Sequence, residues 1–197
     1  MNLETAFTMD TSSIKFGKGV TKEIGSDFKN MGVKRLMICT DNRVAKLSTM
    51  EVVEASLKEV GLEYEIYSGV SVEPTDISFL EAIDFARKGK FDGYLGVGGG
   101  SSMDTVKAAN LYATYPPEDF LDYVNPPIGK GKPVPGPIKP MICIPTTAGT
   151  GSETTGVAIF DLLSMEAKTG IAHRSLRPLM GIIDPDNTRS LPKMVTA

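Results

Sequence analysis

Histidine is almost missing from this chain of 197 residues: His173 is the only one. One imidazole cannot by itself furnish a metal site, so His173 reads as an exposed or hydrogen-bonded strand residue. Cysteine is nearly as scarce. Cys39 and Cys143 stand in apolar runs without CxxC spacing, which excludes a disulfide framework and fits buried free thiols in a reducing compartment. A basic excess is also lacking: 21 Lys and Arg against 24 Asp and Glu leave a net charge of −3, with no electrostatic footprint for nucleic acid. No apolar run is long enough to span a bilayer and no signal-peptide pattern opens the chain, so a membrane partner is not expected. The expected location is the cytoplasm, or the mitochondrial matrix in a eukaryote.

What is present is ordinary globular material, with 41% hydrophobic and 23% charged residues, enough for one domain with a real core. Strand-like runs alternate with helix-like ones. Ser13 to Phe16 alternates and stops at Gly17. Thr21 to Asn30 reads as a helix capped by Thr21, with Ile24 and Phe28 facing the core and Gly32 just past its end. Arg35 to Thr40 is a strand apolar on both faces. Met50 to Val60 is a helix stopped at Gly61, and Glu63 to Tyr67 a strand. A helix from about Ile77 to Lys88 follows, capped by Thr75 or Asp76 and ended by Gly89. Phe91 to Val97 is a strand, and a helix runs from about Ser102 to Thr114. This alternation predicts a doubly wound, mostly parallel α/β sheet with helices on both faces.

Residues 115–140 break the pattern with many prolines and glycines. They read as a long surface connection with one helical turn near Phe120, and Lys130, Lys132 and Lys139 as solvated charges. Pro140 to Pro145 is again a strand, and Val157 to Asp161, Lys168 to His173 and Leu179 to Ile183 are three more. Asp184 and Asp186 read as a turn pair. Leu191 to Ala197 looks like the start of a helix.

Two turns carry chemical meaning. In Gly98-Gly99-Gly100-Ser101-Ser102-Met103-Asp104, glycines follow a strand and precede a helix, with Ser101 and Ser102 as natural caps and Asp104 as a first-turn acid. Backbone N–H groups and the helix dipole there favour an anion such as a pyrophosphate. Such turns also occur without ligand, and Met103 stands where the ordinary dinucleotide fingerprint has its third glycine. The second turn, Thr146-Thr147-Ala148-Gly149-Thr150-Gly151-Ser152-Glu153-Thr154-Thr155, carries five threonines and a serine. It is either a structural Ser/Thr turn or a hydroxyl-lined cradle for phosphate or ribose. Asp41 ends a third strand, either as a helix cap or as a carboxylate that holds ribose hydroxyls and repels a 2′-phosphate. In an open α/β sheet these strand ends converge on one crevice, so the three together point to a nucleotide site.

The first of these turns, extended through Thr105-Val106-Lys107, together with Pro145-Thr146-Thr147-Ala148-Gly149-Thr150-Gly151-Ser152-Glu153, resembles the iron-containing (group III) alcohol dehydrogenases over nearly the whole chain. Thr5-Ala6-Phe7, Val72-Glu73-Pro74-Thr75-Asp76 and Asp119-Phe120-Leu121-Asp122-Tyr123-Val124 resemble its transhydrogenating branch, which passes hydride from a hydroxy acid such as 4-hydroxybutyrate to an oxo acid. The resemblance implies a dehydroquinate-synthase-like, Rossmann-related fold. It implies NAD, with NADP less favoured, held by Asp41 on a ribose, by Gly99, Gly100 and Ser101 on the pyrophosphate with Asp104 behind them, by Thr146, Thr147 and Thr150, and by Lys168 on the nicotinamide ribose. Glu73 departs from the family's usual Asn.

The resemblance also implies a divalent metal, Fe or Zn, held by one Asp and three His of a helical C-terminal domain. Those ligands are expected beyond residue 197, so residues 1–197 would be the cofactor domain, inactive alone and prone to associate with a second copy. A non-catalytic nucleotide-binding module, or a fragment served by a separate helical partner, is the other reading. Glycerol dehydrogenase and dehydroquinate synthase share the sheet but are not expected to share the threonine run.

Overall fold

The computed structural model describes residues 11–189 together with Leu191 and Met194. Thr5-Ala6-Phe7 and nearly all of the helix expected from Leu191 lie outside the described residues. Eight strands are described: β1 Ser13–Phe16, β2 Arg35–Cys39, β3 Glu63–Tyr67, β4 Gly93–Gly98, β5 Met141–Pro145, β6 Val157–Leu162, β7 Ala167–Ala172 and β8 Met180–Ile183. The α-helices are α1 Ile24–Asn30, α2 Ser48–Glu59, α3 Asp76–Gly89 and α4 Gly100–Thr114. Six strands form one parallel sheet in the order β1-β8-β5-β4-β2-β3.

Alternation along the strands builds two cores. Leu36, Ile38, Leu95, Val97, Ile142 and Ile144 face Ile24 and Phe28 of α1 and Met50, Val53 and Leu57 of α2. Met37, Cys39, Tyr94, Met141 and Cys143 face α3 and α4 on the other side. Both faces of the central strands β2, β4 and β5 are thereby dry, as the continuous apolar runs demanded. From β2 the chain moves outward to β3, then returns to place β4 on the other flank of β2. The order of winding reverses there, and the crevice at the carboxyl ends of β2 and β4 is where such sheets hold ligands.

Several local expectations shift. Thr21 does not cap a helix. It lies in a 3-10 turn, Val20–Glu23, ahead of α1, and its hydroxyl donates to Asp184 instead. Thr75 caps α3 through a reciprocal pair with Ser78. Gly89 is the last residue of α3 rather than its stop; Lys90 takes the left-handed φ of 50° as the C-cap, and glycine is needed at 89 because any Cβ there would collide with the Phe91 ring. Phe91 itself precedes β4 and fills the core.

The segment 115–140 is less of a surface connection than its composition suggests. Tyr123 and Val124 are buried, and Tyr112 Oη donates to the Phe120 carbonyl at 2.7 Å. Its one helical turn, Phe120–Asp122, is present. Lys130 and Lys132 are not free solvated charges. Both bond the buried Asp122 carboxylate, at 2.8 and 3.1 Å, and Lys130 also reaches Asp119. Lys139 is exposed as expected. The strands β6 and β7 leave the main sheet and form an antiparallel hairpin, with Asp161 opposite Lys168, laid against α4 and α3.

Candidate cofactor site

The turn after β4 starts its helix earlier than the serines suggest. Gly99, with φ −80° and ψ −172°, is the N-cap, and no side chain caps α4. Ser101 and Ser102 fall inside the first turn, and Asp104 falls in the second, so neither the serine caps nor the first-turn acid holds. The consequence is a helix N-terminus with its leading N–H groups unclaimed by any side chain.

The glycines divide by what the fold needs. Gly98 has φ +145° and would drive a Cβ into Ser102, so the backbone itself requires glycine. Gly99 and Gly100 have no such constraint. A Cβ on Gly99 would meet only the Thr147 side chain at 3.4 Å, and one on Gly100 only Thr150 and Ser152 at 3.4 Å or more. Those are ordinary contact distances, so the missing side chains leave a cradle that folding does not demand.

The hydroxyl-rich turn lies directly opposite. Thr146 N–H donates to the Gly98 carbonyl at 2.9 Å, which ties the two turns together one step beyond the β4–β5 pairing. Thr147 Oγ1 is buried and has no hydrogen-bond partner among the described residues. A hydroxyl left in that state costs roughly 1–3 kcal/mol unless something pairs with it. Thr150 faces Gly100, and its hydroxyl accepts weakly from the Ser152 N–H at 3.5 Å.

Asp41 Oδ1 accepts the N–H groups of Arg43 and Val44 at 2.8 and 3.0 Å, just ahead of the 3-10 turn Val44–Lys46, whose N-cap position is Arg43. No donor among the described residues reaches Oδ2. That oxygen lies 3.8 Å from where a Gly98 Cβ would stand, on the crevice side.

Two cavities flank the glycine turn and share Ser101. The larger, about 380 Å³, is lined by Asp41, Gly99, Ser101, Thr146 and Thr147, with Val44, Leu47, Val70 and Val72 as an apolar wall. The smaller, about 240 Å³, is lined by Gly100, Ser101, Asp104, Thr150, Ser152 and Lys168, with Glu73 at one side. Every site residue expected from the sequence lines one or the other. The apolar wall was not anticipated; its only signal was Val70-Ser71-Val72, an apolar pair in a loop at a strand end. Glu73 holds a left-handed φ of 55°.

Asp104 is less available than the sequence implied. It is buried, its Oδ2 accepts the Ile159 N–H at 3.1 Å and its Oδ1 lies 3.5 Å from Lys107 Nζ. Burial raises its pKa, opposed by the Lys107 charge and the Ile159 N–H. Lys168 is exposed, with Nζ 3.6 Å from Asp161 Oδ1. His173 sits just past β7, where its Nδ1 accepts the Ser175 N–H at 3.1 Å. Asp184 and Asp186 form the expected turn, Asp184 Oδ1 accepting the Asp186 N–H. No group of three His, Cys, Asp or Glu that could hold a metal ion occurs among the described residues, so the side chains here do not fit a metal centre.

A doubly wound sheet with a glycine turn and a hydroxyl turn at its switch point defines a class of α/β folds. The family profile "Iron-containing alcohol dehydrogenase" matches residues 11–185, and the chain belongs to that family. It is 55% identical over 192 residues to mouse (Mus musculus) mitochondrial hydroxyacid-oxoacid transhydrogenase and 56% identical to the human (Homo sapiens) protein of that name, covering 98% of this chain in each case. The chain spans 41% of the length of each relative. Among solved structures, NADH-dependent butanol dehydrogenase A from Thermotoga maritima superposes with a TM-score of 0.87 at 30% identity, over 97% of this chain and 47% of that one. A 1,3-propanediol oxidoreductase superposes at 0.88 and 26% identity, over 98% of this chain and 49% of that one.

Proposed function

We propose that this chain is the dinucleotide-binding part of an NAD-linked alcohol dehydrogenase or hydroxyacid–oxoacid transhydrogenase. The observation that carries the reading is the cradle at Gly99 and Gly100, which the fold does not need, facing the orphaned hydroxyl of Thr147. An anion there would meet the open end of α4 and pair with that hydroxyl.

In this reading Gly99, Gly100 and Ser101 take the pyrophosphate, and Thr146, Thr147 and Thr150 line its other side. Asp41 Oδ2 accepts ribose hydroxyls, and its charge disfavours a 2′-phosphate. The apolar wall of Val44, Leu47 and Val70 takes the adenine. Lys168 and the smaller cavity take the nicotinamide ribose, with Asp104 behind the turn. When bound, the nicotinamide supplies hydride exchange with an alcohol or carbonyl carbon.

The names of the relatives support a hydroxy acid and oxo acid pair as the substrate class; a 4-hydroxybutyrate-like hydroxy acid is the member that the sequence resemblance implies. The family's divalent metal, Fe or Zn, is assigned to residues beyond position 197, as is the helical domain that holds it. On that assignment the chain is one cofactor domain, inactive alone. Exposed Ile14 and Phe16 on β1, the outermost of the described strands at that side of the sheet, support association with a second copy, which light scattering reads directly.

Calorimetric titration with NAD and NADP tests the core of the reading. NAD is expected to bind in preference to NADP, and Asp41→Ala to erase the preference. Binding of neither nucleotide to the wild-type chain would refute it.

A further inference from the structure

Near the middle of α4 stands a lysine that the reading above leaves unused. Lys107 is fully buried. Its Nζ donates to the Val157 carbonyl at 2.8 Å and lies 3.5 Å from Asp104 Oδ1, while Asp104 Oδ2 accepts the Ile159 N–H at 3.1 Å. Asp104 and Lys107 are one turn apart on the helix; Val157 and Ile159 are alternate residues of β6. One turn of α4 therefore grips one strand through both a carbonyl and an N–H.

Burying a cation and an anion is costly, and an apolar pair of similar volume holds two elements together at least as well. What a polar pair adds is register, because each hydrogen bond fixes one atom against another. The registered strand matters for what its partner carries. β7 pairs with β6 and brings Lys168 to the cavity that Gly100 and Ser101 line. Those two residues open the same helix that carries the grip. The distance between the turn and Lys168 is thus set along one rigid path: the first turn of α4, Asp104 and Lys107, β6, β7.

We propose that Lys107 and Asp104 are positioning residues that clamp the β6–β7 hairpin to α4 and hold Lys168 over the glycine turn, where it receives the part of a dinucleotide beyond the pyrophosphate. The proposal rests on the cofactor reading above. ADP ends at the pyrophosphate and separates the two ideas: the clamp acts on NAD affinity and leaves ADP affinity alone.

The test is calorimetry with NAD and with ADP on the wild-type chain, Lys107→Met, Asp104→Asn, Lys168→Ala and the Lys107→Met/Lys168→Ala double variant. For Lys107→Met and Lys168→Ala, the NAD Kd is expected to rise about tenfold while the ADP Kd stays within about twofold. The double variant is expected to be no weaker than Lys168→Ala alone, since both act through one group. Asp104→Asn keeps an acceptor for Ile159, shifts NAD affinity less in the same direction, and replaces Lys107→Met if that variant does not fold. Equal losses for NAD and ADP, unchanged NAD affinity, or additive losses in the double variant would each overturn the clamp. A wild-type chain that bound neither ligand would overturn the cofactor reading, and the clamp with it.

Discussion

Asp184, at the carboxyl end of β8, accepts a hydrogen bond of 2.8 Å from the hydroxyl of Thr21, 163 residues earlier in the chain. It also accepts the N–H groups of Gly19, Thr21 and Asp186 at 3.0–3.2 Å. One buried carboxylate thus pins the entry to α1 to the end of β8, the neighbour of β1 in the sheet. Burial alone would raise its pKa, but the bonds from Gly19, Thr21 and Asp186 outweigh that and lower it. The contribution is therefore in place above about pH 4 and is lost as the pH falls through the lowered folded value. Asp184→Ala is expected to cost about 1–3 kcal/mol in urea denaturation at pH 7, from donors left unpaired. It is also expected to flatten the acid limb of the stability curve.

Gly99→Ala separates folding from binding. The new methyl group meets only the Thr147 side chain, at an ordinary distance, and Gly99 has a negative φ. The thermal midpoint is expected to move by no more than about 1 kcal/mol allows, the cost of alanine at an N-cap. NAD affinity is expected to fall at least about tenfold, because the methyl group occupies the cradle. Unchanged affinity would remove the pyrophosphate from this turn.

Asp122 is held by Lys130 first, and then by Lys132 and the Asp119 N–H, which together push its pKa down to about 2. It stabilises the segment 115–140 above about pH 4 and loses that effect as the pH approaches 2. Lys130→Ala is expected to raise the Asp122 pKa, visible in a carboxyl-carbon NMR titration, and to move acid unfolding to higher pH. A titration curve indifferent to Lys130 would show that the pairing is not maintained in solution.

Cys39 and Cys143 lie buried under opposite strands of one face, and burial pushes both thiols up, Cys143 to about 12. Neither is expected to react with a thiol reagent at pH 8 in the native state, and both are expected to react in urea. Fast native labelling of either would mean that the α3–α4 face opens readily.

The strands and most helices were legible in the sequence because continuous apolar runs between turn residues leave few alternatives to a sheet covered on both faces. The glycine and threonine turns stood out for a different reason: runs of small residues follow two strands directly, although each alone could be structural. Helix boundaries failed where backbone geometry outranks propensity. Ser101 and Ser102 look like caps, but Gly98 turns the chain so sharply that α4 begins at Gly100. Gly89 reads as a helix stop, but its role is to leave room for the Phe91 ring, and the left-handed residue is Lys90. The pairing of Lys130 and Lys132 with Asp122 was hidden because exposed lysines in a proline-rich stretch have no periodic signature. Lys107 did leave a mark, as a lone charge within Thr105-Val106-Lys107-Ala108-Ala109, yet its partner Val157 lies 50 residues on and only the hairpin's return to α4 brings it there. The unpaired Thr147 hydroxyl is a property of three-dimensional surroundings and has no counterpart in the one-dimensional text.

The bond from Thr146 N–H to the Gly98 carbonyl makes the floor of the crevice an extension of the sheet's own ladder. The start of the hydroxyl turn at Thr146 is thereby anchored to the end of β4. A nucleotide held there, as proposed, would meet a floor already fixed at Gly98 and Thr146 and would bear less of the entropic penalty that ordering that floor would exact. The corollary is vulnerability: a substitution that frays the last rung of the ladder blunts both halves of the crevice in one stroke, without touching any residue that a ligand would meet.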